Sequence, residues 1–173
     1  MSYLVVYESM FGSTQALALA VADALGERGP GRVVEVGLLA AEGQGVPGDV
    51  DLLVVGAPVH AFGMSRESTR LDAAKERAPL VSATIGVREW LDDLTLPPGV
   101  RCAAFDTKVV TPRLPGSAAK AIDKRLRAGG AVRACEPKTF FVHGKAGGLA
   151  EGELDAARAW ARTLPASAAP AKA

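Results

Sequence analysis

Long hydrophobic runs, aromatics, cysteines and an excess of either charge are all scarce in this 173-residue chain. Each scarcity closes a route. No apolar run approaches the ~20 residues of a membrane-spanning helix, so no membrane partner is expected. The N-terminal MSYLVVYESM has no basic segment ahead of its apolar stretch, and it reads as a first strand rather than a signal peptide. Cys102 and Cys135 stand far apart and supply neither a disulfide framework nor a metal-ligand cluster. Each lies in an apolar segment and reads as a buried thiol, which makes a reducing cytoplasm the expected location. Twenty Lys and Arg against 19 Asp and Glu leave a net charge of +1. Counterion release needs concentrated basic residues, and an aromatic content of 5% offers no stacking platform, so nucleic acid is not an expected partner. The chain also lacks a GxSxG elbow, an HExxH helix and an EF-hand loop. GQGVPG (43–48) matches GxGxxG only in letters, because it carries a proline and precedes a strand.

What is present is a succession of short, strongly apolar strands: 3–7, 32–39, 51–56, 101–107 and 139–144. Runs of this kind suit a parallel sheet covered on both faces. Helical patterns lie between them. Leu17, Val21 and Leu25 form one stripe, and Ala118, Ile122 and Leu126 a second. Leu154, Ala157, Ala161 and Leu164 form a third, with Trp160 on its flank. GVREWLDDL (86–94) is a shorter helix, with Thr84 as N-cap and Pro97-Pro98-Gly99 ending it. The alternation predicts an α/β fold with three layers and a doubly wound, five-stranded parallel sheet in the order 2-1-3-4-5. One domain spans 1–164, followed by a disordered Ala/Pro tail over 165–173. The ligand crevice of such a sheet lies beyond the strand carboxyl ends, near strands 1 and 3.

The first-strand loop therefore matters. Ser9-Met10-Phe11-Gly12-Ser13-Thr14 contains hydroxyls and a glycine and no charge. A helix N-terminus presents unpaired N–H groups and about half a positive charge, so a phosphate can be held there without an ammonium. Gly12 allows a positive φ or a close backbone approach. Ser9, Ser13 and Thr14 each offer a hydrogen bond worth roughly 1.5–3 kcal/mol to a charged oxygen. A triphosphate would call for GxxxxGK[ST] with its lysine, which is absent; neutral hydroxyls suit a single terminal monophosphate. A receiver domain shares the strand order but needs paired aspartates where Tyr7-Glu8 stand. Glu8 is expected to point away from the loop.

VVYESMFGSTQALALAVADAL (5–25) resembles the flavodoxin signature of apolar strand, aromatic, hydroxyl, glycine, threonine and Ala-rich helix. The resemblance covers the order of elements along nearly the whole folded chain. It implies a loop of Ser9, Met10, Phe11, Gly12, Ser13 and Thr14 around the monophosphate of FMN. It also implies that GAPVHAFGMS (56–65) walls the isoalloxazine site, which brings in Pro58, Val59, His60, Ala61, Phe62 and Gly63. That run is similar to the loop of flavodoxin-like quinone reductases. Phe62 or His60 would supply a flat neighbour for the ring; Gly63 would let a carbonyl turn toward the flavin N5. His60 titrates near neutrality if unperturbed, which suits a proton relay. After strand 4, Asp106, Thr107 and Lys108 would meet the pyrimidine edge through their backbone, with Lys108 offsetting charge at N1 and O2. The sequence departs from the family here, since no Tyr or Trp follows before the next helix to stack on the outer face.

Electron-carrier flavodoxins are typically strongly acidic, whereas this chain is nearly neutral. Its flavin should feel little long-range repulsion, with a potential closer to that of free FMN and chemistry oriented to two-electron transfer. The expected partners are a redox protein, or NAD(P)H with a small-molecule acceptor. Two other readings stay open: the same crevice holding another phosphorylated ligand or a deazaflavin, and a flavin-free interaction module. The charged segment 66–85 covers the site, forms a partner surface, or is a solvated helix with i,i+4 pairs.

Overall fold

The computed structural model describes residues 1–165 except 44, 61, 77–78, 112–114 and 146. The expected tail from 166 onward lies outside the described residues. The elements are β1 (Tyr3–Tyr7), α1 (Ser13–Gly26), β2 (Gly31–Glu35), α2 (Val36–Ala41), β3 (Leu52–Pro58), α3 (Glu67–Glu76) and α4 (Val87–Asp92), then β4 (Arg101–Val109), α5 (Ala118–Ala128), β5 (Val132–Arg133), β6 (Lys138–Val142) and α6 (Glu153–Thr163). Every strand pairing is parallel, and the order is β2-β1-β3-β4 with β5 and β6 sharing the far edge of β4. This is the doubly wound 2-1-3-4-5 sheet, with its fifth position split. β5 pairs with Arg101 and Cys102, whereas β6 runs beside Phe105–Val109. Pro137 stands between the two pieces and has no N–H to give a ladder.

The strands alternate between two cores. Leu4, Val6, Leu53, Val55 and Ala104 face α5 through Ala118, Ile122 and Leu126, and α4 through Trp90. Tyr3, Val5, Leu52, Val54 and Phe105 face α1 through Leu17, Val21 and Leu25, and α6 through Ala157 and Ala161. Burying a side chain such as Leu17 contributes about 1.5–3 kcal/mol. Phe105, Phe140 and Trp160 meet edge to face, each pair with centroids 6.0 Å apart.

Several expectations need correction. The apolar run 32–39 is not one strand: β2 stops at Glu35 and α2 takes over. Leu38, Leu39 and Ala40 are good helix formers, and Gly37 allows the turn to pack on the backbone, since a Cβ there would lie 2.3 Å from Val81 O. The cap of α4 is Gly86, whose N–H donates to Glu89 Oε2 at 3.0 Å, while Thr84 O accepts from Arg70. Leu154 is exposed, so the stripe of α6 is narrower than its sequence pattern. Cys102 is buried but Cys135 only half so. Within 66–85 the helix is α3, with Lys75 and Asp72 paired on its surface. Its Arg70, however, is fully buried.

Candidate functional site

The loop after β1 is held from inside. Ser9 Oγ accepts from the N–H groups of Gly12 (3.2 Å) and Gln15 (3.3 Å), closing the turn onto the start of α1. Gly12 is the N-cap and sits at φ 95°, a left-handed conformation that favours glycine. The Thr14 and Thr107 hydroxyls are 2.9 Å apart and buried, which ties the loop to β4. The Ser13 hydroxyl and the N–H groups of Ser13 and Thr14 have no partner among the described residues. They are the orphan donors of a helix N-terminus.

These groups border a cavity of about 250 Å³ at the carboxyl ends of β1, β3, β4 and β6. Ser9, Met10, Phe11, Ser13 and Thr14 form one side, Pro58, Val59 and His60 another, and Thr107 and Val109 the floor. Val142, Gly144 and Lys145 complete it. A second cavity of about 160 Å³ adjoins it and shares Phe11, His60 and Lys145. Together they reach the lower end of the size range of small-molecule sites. No carboxylate lines the larger cavity among the described residues. Burial, followed by the charge of Lys145, pushes the His60 imidazole below its ordinary value, so it is neutral at pH 7.

Glu8 points away from this space, as expected. It is wholly buried, its Oε2 accepts from the Val87 N–H at 2.8 Å, and Ser65 also bonds to it. Burial first, against those hydrogen bonds and nearby Arg70, raises its carboxyl above the usual range. Glu35 lies outside the loop and accepts from Ser82 Oγ at 3.0 Å and from the Ser9 backbone. Burial raises its carboxyl as well.

Other predicted residues are placed elsewhere. Phe62 and Gly63 do not line the cavity: a tight turn, with His60 N–H donating to Gly63 O at 2.8 Å, sets Phe62 at φ 72° and leaves it 62% exposed. Ala61 lies outside the described residues. Phe11, rather than Phe62, is the aromatic in the wall. The Asp106 side chain is buried away from the cavity, where Oδ2 caps α5 by accepting from Ser117 Oγ (2.7 Å) and the Ala119 N–H (2.9 Å). Lys108 Nζ donates to Gly116 O at 2.9 Å and is absent from the lining, while Thr107 between them is present.

Val109, Val142, Gly144 and Lys145 escape the sequence reading. The signal was the glycine-rich HGKAGG (143–148) at the end of the last strand, the position a switch-point crevice draws on.

A flat, phosphorylated cofactor fits this chemistry. Orphan N–H groups and a hydroxyl await an anion at one end, and apolar walls continue from it without a carboxylate.

No protein-family model matches the sequence, and no curated protein matches it. Solved structures do. The flavodoxin of Streptococcus pneumonia TIGR4 superposes with a TM-score of 0.65 at 18% identity, over 95% of this chain and 97% of that one. Oxidised flavodoxin 2 from Bacillus cereus gives 0.65 at 18% identity, over 94% and 97%. A flavodoxin, WrbA-like protein from Agrobacterium tumefaciens gives 0.55 at 15% identity, over 94% of each chain. The likeness is one of fold.

Proposed function

From a chain with the flavodoxin-like fold, we propose that the cavity binds FMN and that the protein is a redox protein, either an electron carrier or an NAD(P)H-dependent, quinone-type reductase. One observation carries the reading: the unpaired Ser13 and Thr14 N–H groups stand at the edge of a cavity with apolar walls and no lining carboxylate. The dianionic phosphate sits at the start of α1, with Ser13 and Thr14 as donors and Gly12 allowing the turn. Pro58, Val59, Phe11 and Met10 exclude water from the ring, and Thr107 and Val109 support its edge. FMN supplies the electron transfer; the chain binds, orients and tunes it. No side chain is required as nucleophile or general base. Near-neutral net charge (+1) favours a potential close to that of free FMN. Freshly purified protein should be yellow, with the absorption of an oxidised flavin, or become so on addition of FMN. Colourless protein that FMN leaves unchanged would refute the reading.

A further inference from the structure

Lys145 stands at the tip of the loop that follows β6. Val142 and Leu149 bridge at its base, and the His143 N–H donates to Gly148 O at 2.9 Å. Gly144 and Gly148 take left-handed conformations at φ 73° and 76°. At position 147 only glycine fits, because a Cβ would overlap His143 O. These residues bring the Lys145 ammonium to the boundary between the two adjoining cavities.

With His60 neutral, Lys145 is the one charged group among the described residues that line the larger cavity. It lines both spaces together with His60, and Asp72 and Glu76 border the smaller one. It is paired with Glu76 at the end of α3, Nζ to Oε1 3.3 Å. The two side chains are 71% and 55% exposed, and so open a pair contributes little and exchanges partners readily.

Uptake of two electrons and one proton by a flavin ring adds one negative charge. We propose that Lys145 biases this site toward the anionic, two-electron-reduced form of its ligand, and that Glu76 competes with that ligand for the same ammonium. The proposal rests on the FMN reading and makes Lys145 a positioning and tuning residue. It takes the place expected of Lys108, whose ammonium is instead bound to Gly116 O. Glu76 then acts as a brake: each increment of reduced ligand must draw Lys145 away from it.

The test is a redox titration of the FMN-loaded protein with dithionite, alongside FMN titrations of the apoprotein, for wild type, Lys145→Gln and Glu76→Gln. Both positions are exposed, so neither substitution threatens the fold. Lys145→Gln should lose about tenfold more affinity for reduced than for oxidised FMN, a fall of about 30 mV in the two-electron potential. Glu76→Gln should move the potential upward, and both shifts should shrink in 1 M salt. An unmoved potential in Lys145→Gln, or a fall in Glu76→Gln, would overturn the inference while leaving FMN binding intact. Wild-type protein that binds no FMN would refute both.

Discussion

At the scale of single residues, the site depends on pairs that ordinary helix capping would not require. Thr14, in the first turn of α1, and Thr107, in β4, stand 93 positions apart, yet their hydroxyls lie 2.9 Å apart in a buried setting. One hydroxyl donates and the other retains its proton, which leaves it for the ligand side. Thr14→Ala should weaken FMN by about tenfold, or about 1.4 kcal/mol, and Thr107→Ala should do the same. Because the two act through one contact, the double variant should lose little more than either single one. Fluorescence titration of the three variants checks this, and fully additive losses would separate the two residues. Ser13 and Thr14 were legible in the sequence because a hydroxyl before an amphipathic stripe marks a helix start. Asp106 was not, since only the folded chain brings Ser117 and the Ala119 N–H to its carboxylate. Lys145 was missed because a lysine among glycines at a strand end is too common a pattern to single out.

Between elements, the carboxylate of Glu8 joins the end of β1 to the start of α4 through the Val87 N–H. Ser65 and Arg70 stand beside it; Arg70 Nη1 donates to Ser65 Oγ at 2.9 Å, and Glu89 pairs with Arg70 Nη2 at 3.0 Å. Gly86 completes the junction, because a Cβ there would lie 2.5 Å from Glu8 Oε2. Burial raises the Glu8 carboxyl in the folded state despite these partners. The folded protein therefore holds that proton more tightly than the unfolded chain. Its contribution to stability is greatest in acid and falls as pH rises from the ordinary glutamate value of 4.5 through the raised one. Glu8→Gln removes this penalty, so the variant should gain on wild type as pH increases across that window. Urea melts at several pH values measure the difference; a variant that loses stability relative to wild type as pH rises across that window would contradict the assignment. The elements themselves were mostly readable from periodicity. Apolar run 32–39 was not, because a short stretch without alternation suits strand and buried helix equally, and the choice was made by Glu35 and Gly37 meeting the 81–82 backbone and side chain.

For the whole molecule, the chain order of apolar strands and helical stripes was enough to specify the parallel sheet and place its crevice. The split fifth strand was beyond it, since β5 is only two residues long. The crevice falls where all four contributing strands end, and its walls combine orphan donors at one end with apolar side chains along the rest. Such a site should recognise the phosphate and the ring together. The direct test is to titrate apoprotein with FMN and with riboflavin, following quenching of flavin fluorescence. FMN should bind saturably at one per chain, with riboflavin at least tenfold weaker because the donors at the start of α1 go unused. Equal affinities for the two, or no quenching by either, would contradict the account.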